Sequence, residues 1–156
     1  MRILFALLVS VGHCVSYLLC FYFWFVMNQT RFKEWKVLCW NVRGLNSEAR
    51  QLAVRQMIDE SGCSIVCLQE TKCMQMDQRL IRKFCPRRFD NFVYVPYAGA
   101  SAGMVVVWNS SFFTGSLIES KSYGIIVEFK SKHTSETWSL VSVYGPCQGL
   151  ARDEFV

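Results

Sequence analysis

The sequence predicts a layered α/β sandwich, and three observations predict it. Residues 36–42 and 64–69 are short apolar runs rich in Val, Ile, Leu, Cys and Trp, and the segment between them has helical rather than alternating periodicity. That is a β-α-β unit. From residue 92 onward, β-rich runs follow one another with only turn residues between them. No internal repeat or low-complexity tract interrupts the chain. One parallel opening followed by meandering strands suits sheets packed in layers with helices outside.

Taken in order, the chain opens on an apolar run. Ile3 to Met27 carries no charged side chain apart from the possible charge of His13, and as a helix it would span about 37 Å at about 1.5 Å per residue. The expectation is a hydrophobic segment over 1–28 forming a transmembrane helix, a linker over 29–35, and the folded domain over 36–156. Arg2 before the run and Arg31, Lys33 and Lys36 after it favour a cytoplasmic carboxyl side. Two alternatives stay open: a cleaved signal peptide, against which there is no clear small-x-small cleavage site, and upstream sequence fused to an unrelated domain. The location follows from the choice: a membrane if the helix is genuine, otherwise the nucleus or cytoplasm.

Ser47 stands where an N-cap is wanted, with Glu48 in the first turn to complement the helix dipole. Leu52, Val54, Met57 and Ile58 then form the apolar stripe, and Gly62 supplies the stop. A second helix is expected over 77–84, ending before Pro86. Strands are expected over 92–97, 104–108, 116–122, 125–130 and 138–144, with turns at 98–103, Tyr123-Gly124 and 131–136. Pro146 closes the last strand, and 152–155 resembles the first turn of a further helix.

The eight cysteines do not read as a disulfide framework. Cys14 and Cys20 lie in the apolar run, Cys39 and Cys67 inside buried strands, and Cys63, Cys73, Cys85 and Cys147 form no Cys-x-x-Cys pair and have no histidine at zinc-ligand spacing. Reduced thiols in a cytosolic or nuclear setting follow. A net charge of +5 permits a polyanionic partner without demanding one. Asn28-Gln29-Thr30 and Asn109-Ser110-Ser111 match the glycosylation triplet, a pattern that often arises by chance.

A parallel strand pair joined by a right-handed crossover brings both carboxyl ends to one edge of the sheet, where open α/β sheets bind ligands. Asn41 and Glu70 should therefore be neighbours. A carboxylate and a carboxamide there suit Mg²⁺, which prefers oxygen ligands and keeps several waters. From position alone, Glu70 is equally a solvated acid, Asn41 a turn residue bonding its own backbone, and Tyr144 a packed aromatic.

Trp40-Asn41-Val42-Arg43-Gly44-Leu45-Asn46, then Cys67-Leu68-Gln69-Glu70-Thr71-Lys72, then Val143-Tyr144-Gly145-Pro146 resemble the successive early motifs of the exonuclease/endonuclease/phosphatase superfamily. Their wording is most similar to the endonuclease domain of plant LINE-type retrotransposons. The resemblance covers about Lys36 to Val156, the amino-terminal portion of the family's layered sandwich. It implies that Glu70 holds Mg²⁺ (or Mn²⁺), that Asn41 orients the metal or a phosphate oxygen, and that Tyr144 lies near the scissile phosphate. Arg43, Gln69 and Lys72 would flank the site as phosphate or nucleic-acid contacts, and the partner would be DNA.

The family's later Gly-Asp-x-Asn and Ser-Asp-His motifs do not occur in these residues. His133, the one histidine outside the apolar run, falls in a turn. A positioned acid or base contributes about 10²–10⁴-fold to rate, so the expectation is an endonuclease-like phosphodiesterase domain that is weak or inactive as this chain. Two rivals remain. One is a membrane-anchored module, held through residues 3–27, that binds nucleic acid through Arg79, Arg82, Lys83, Arg87 and Arg88, a cluster that reads equally as a charged outer face. The other is a relative acting on phosphoinositides or sphingomyelin. No protein partner is evident.

Overall fold

The computed structural model describes residues 2–9, 21–24, 35–98, 101–134 and 136–145. Its elements run β1 (Arg2–Val9), β2 (Phe21–Trp24), β3 (Lys36–Asn41), α1 (Glu48–Ser61), β4 (Ile65–Gln69), α2 (Gln78–Phe84), β5 (Asn91–Ala98), β6 (Ser101–Trp108), β7 (Phe113–Lys121), β8 (Gly124–Ser131) and β9 (Thr137–Gly145). They build two sheets, one of five strands in the order β2-β3-β4-β6-β5 and one of four in the order β1-β9-β8-β7. The layered α/β architecture is the one expected from the sequence.

The opening β-α-β unit forms as read. β3 and β4 pair in parallel with Asn41 opposite Gln69, and β6 runs antiparallel on the other side of β4 with Met104 opposite Gln69. Every residue of β4 is buried because it has a core on each face. Ile65 and Cys67 face the layer between the sheets with Met104, Val106, Phe113, Val127, Phe129 and Leu140. Val66 and Leu68 face the helices with Val54, Ile58, Ile81 and Phe84. Such a strand reads as a continuous apolar run rather than an alternating one.

Ser47 caps α1, its Oγ accepting from Arg50 N at 3.3 Å, and Gly62 ends the helix at φ +61°. The buried stripe is rotated from the one expected. Leu52 is 66% exposed, while Gln51 turns inward and donates from Nε2 to Leu45 O at 2.7 Å. An amide that satisfies a buried loop carbonyl displaces the leucine from the inner face. Asp77 caps α2, accepting from Leu80 N at 2.7 Å.

Where the apolar amino-terminal run is described, it does not form the expected helix. Its described parts are strands: β1 pairs in parallel with β9 over Arg2–Val9, and β2 antiparallel with β3 over Phe21–Trp24. Apolar sequence alone does not separate a buried strand from a helix; here the outer edges of β3 and β9 offer hydrogen bonds that a strand can use. No helix among the described residues is long and apolar enough to cross a membrane. Residues 10–20 and 25–34 lie outside the described residues, as do the first glycosylation triplet, Pro146 and the 152–155 turn.

Candidate active site

The ends of β3 and β4 continue their ladder beyond the strands. Val42 N donates to Gln69 O at 3.0 Å, Gly44 N to Glu70 O at 2.6 Å and Leu45 N to Thr71 O at 3.0 Å. On the opposite side, Thr71 N donates to Gly103 O at 3.0 Å, Lys72 N to Ala102 O at 3.1 Å and Tyr97 N to Cys73 O at 2.8 Å. The segment 70–73 is thus clamped between two backbones. That clamp holds three non-glycine residues in the left-handed region, Arg43 (φ +51°), Glu70 (φ +52°) and Lys72 (φ +54°). Such conformations persist only where the surroundings over-determine them, and they cluster at functional sites.

The clamp aims three predicted side chains at one another. Asn41 Nδ2 donates to Glu70 Oε1 at 2.7 Å, and Tyr144 Oη donates to the same oxygen at 2.9 Å. Asn41 is held in turn by Arg43 N, which donates to its Oδ1 at 3.1 Å. Asn41 and Glu70 come from one sheet and Tyr144 from the other, so the site straddles both. Asn41 and Glu70 are half-buried and Tyr144 is buried.

Arg43 and Lys72 have exposed side chains on the flanking loops; the Arg43 carbonyl accepts from the Arg50 guanidinium. Gln69 corrects its expected role. It is fully buried, and its Nε2 donates to Val143 O at 2.9 Å across the layer between the sheets. A side chain with no exposed surface in a doubly covered strand does not contact nucleic acid.

Sequence reasoning missed Thr71 and Gly103. Thr71 is fully buried, and a Cβ added at Gly103 (φ +81°) would lie 2.5 Å from its Oγ1. The requirement for φ > 0 at Gly103 was hinted at by the glycine, but nothing in the sequence marked the close approach.

The donor set was weighed for a cation. No group of three or more His, Cys, Asp and Glu side chains that could hold a metal occurs among the described residues. Glu70 supplies one hard oxygen donor, and Asn41 Oδ1, which accepts one hydrogen bond from Arg43 N, keeps a second lone pair that could add another. One or two oxygen ligands fit Mg²⁺, which keeps most of its water shell.

Two of the five residues in the basic cluster around α2 are engaged within the fold. Arg82 donates from one guanidinium nitrogen to Pro86 O, Arg87 O and Phe89 O at 3.3, 3.0 and 2.8 Å. Arg88 pairs with Asp59 at 2.6 Å and donates to Ile58 O at 3.1 Å. His133 is exposed in the turn between β8 and β9, at the far end of β9 from Tyr144, with its ring 6.3 Å from that of Trp35.

Two packed sheets, with a carboxylate, an amide and a phenol converging at their shared rim, define a layered mixed α/β class. The chain belongs to the endonuclease/exonuclease/phosphatase family, whose model matches residues 38–129. Its fold is similar to that of the AP endonuclease LMAP from Leishmania major, with a TM-score of 0.59 at 19% sequence identity, over 78% of this chain and 44% of that one. The chain therefore spans less than half the length of that structure. No curated protein matches it.

Proposed function

We propose that this chain carries the cation-holding part of a Mg²⁺-dependent phosphodiesterase site that acts on nucleic-acid backbones, derived from a LINE-type retrotransposon endonuclease and weak or inactive as a nuclease by itself. The observation that carries the reading is the convergence of Asn41 Nδ2 and Tyr144 Oη on Glu70 Oε1. Two donors on one oxygen fix the carboxylate's orientation. Among the described residues none donates to Oε2, which is left to serve a cation.

Bound there, a divalent cation would neutralise charge building on a scissile phosphate. The chain's own residues do the rest: Glu70 holds, Asn41 orients, the Tyr144 phenol is placed to donate a hydrogen bond to a developing oxyanion, and Arg43 and Lys72 offer positive charge on the flanking loops. The family membership and the AP endonuclease fold support a nucleic-acid substrate, and the motif wording supports the retrotransposon origin. The five described cysteines are free thiols, which supports a reducing compartment, nuclear or cytoplasmic.

The test is Mn²⁺ titration followed by water-proton relaxation, with plasmid nicking in parallel. Weak Mn²⁺ binding that disappears in Glu70→Gln is expected, with no nicking by either chain. Equal binding by both chains would overturn the assignment of Glu70. Nicking by the unaltered chain that is lost in Glu70→Gln would overturn the inactivity.

A further inference from the structure

Gln69 is an expensive residue to bury. Of the four hydrogen bonds its amide can make, the structure supplies one, from Nε2 to Val143 O at 2.9 Å. Its Oε1 is buried with no partner, which costs the desolvation of a carbonyl with nothing in return. The neighbouring inward positions of β4 are Ile65 and Cys67, both apolar, and an apolar side chain of similar length would avoid that cost. A half-satisfied amide in a core is a poor device for stability.

What the amide does achieve is a closed circuit through the site. Gln69 precedes Glu70 and Val143 precedes Tyr144. The side chain of Gln69 grips the Val143 carbonyl, and the side chain of Tyr144 grips Glu70 Oε1. The last residue of β4 and the one that follows it are therefore tied to two consecutive residues of β9, across the gap between the sheets. Tyr144 N donates to Tyr123 O in the β7–β8 turn at 2.9 Å, so that bond fixes the end of β9 to its own sheet's turn but not to β4.

We propose that Gln69 is a positioning residue: its amide sets the end of β9 against the end of β4 so that the Tyr144 phenol reaches Glu70. The inference rests on Glu70 as the cation-holding group but is testable apart from it. In protein labelled with ¹³C at the tyrosine ζ carbon, Tyr144 is assigned by the signal lost in Tyr144→Phe. Glu70→Gln, which alters the acceptor of the phenol, gives the reference displacement of that signal.

In Gln69→Met the Tyr144 signal is expected to move at least halfway to its Glu70→Gln position, with a melting temperature within about 3 °C of the unaltered chain. The double variant Gln69→Met/Glu70→Gln should show no further displacement. A Tyr144 signal unmoved in Gln69→Met overturns the proposal. So does a Gln69→Met chain that fails to fold or melts far below the unaltered one, because the amide would then serve the fold.

The cation readout separates this inference from the proposed function. Gln69→Met should weaken Mn²⁺ binding about tenfold, the lower end of what loss of a supporting partner costs at metal sites, and should have no further effect in a Tyr144→Phe background. An equal loss in that background would overturn the route through Tyr144. If the unaltered chain binds no Mn²⁺, the proposed function fails, while the tyrosine signal still decides the role of Gln69.

Discussion

Placing a methyl group at Gly103 perturbs the clamp that holds Glu70. A Cβ there would lie 2.5 Å from Thr71 Oγ1 and 3.3 Å from Lys72 N and Tyr97 N. Gly103 also sits at φ +81°, where an L side chain costs about 1–2 kcal/mol. Overpacking a closed core adds about 1–3 kcal/mol, so Gly103→Ala should lose about 2–5 kcal/mol in all. Gly62 provides the control: it has φ +61° with nothing within 4 Å of the added Cβ, so Gly62→Ala should lose only the backbone term of about 1–2 kcal/mol. Urea unfolding followed by far-ultraviolet circular dichroism measures both. Thr71→Ala in the Gly103→Ala background removes the shortest contact but leaves those to the two backbone nitrogens, so recovery should be partial. A Gly103→Ala chain no less stable than Gly62→Ala would refute the close packing of 101–103 against 71–72.

The remaining predictions concern the thiols and the arginine latch. Burial pushes the Cys63 and Cys85 thiols up, and in Cys67 the neighbouring Cys39 thiol and then burial do the same. A folded-state pKa above the unfolded one favours the neutral thiol, so this stability is fully present below the ordinary thiol value of about 8.5 and lost as pH rises through the folded values. Calorimetric melting temperatures should fall above about pH 8.5, and a flat profile into the alkaline range would refute it. A thiol reagent should modify Cys73, the one half-buried thiol among those described, before Cys39, Cys63, Cys67 and Cys85; simultaneous reaction in the native state would count against that burial. Arg82→Met strips three loop carbonyls of their shared donor and should cost about 1–3 kcal/mol in urea unfolding, with a loss under about 0.5 kcal/mol showing the latch to be idle.

The adjacency of Asn41 and Glu70 was legible because parallel pairing and crossover handedness are general constraints that need no side-chain detail. Tyr144 was legible only through its motif: nothing local says that a strand from the other sheet ends over the same rim. Gln69 was misplaced for a physical reason. A glutamine beside an acid at a strand end reads as loop-facing, yet β4 is covered on both faces, so its last inward position lies in the core. Leu52 and Gln51 exchanged places because periodicity weighs hydrophobicity and not the need of the Leu45 carbonyl for a donor. The left-handed backbones at Arg43, Glu70 and Lys72 left no trace in composition, since none is glycine. The apolar run at the amino terminus carried the right hydrophobicity for a membrane, and its described parts pair as strands with the outer edges of β9 and β3.

Those margins have a practical consequence. β2 lies outside β3 and β1 outside β9, so the strands that deliver Asn41 and Tyr144 are interior to their sheets only because β1 and β2 flank them. A chain started at Trp35 would present two naked rims of amide and carbonyl groups, each next to a site residue, and rims of that kind recruit copies of themselves. Shortening this protein to its recognisable domain would therefore put the candidate site at the seam of an aggregate.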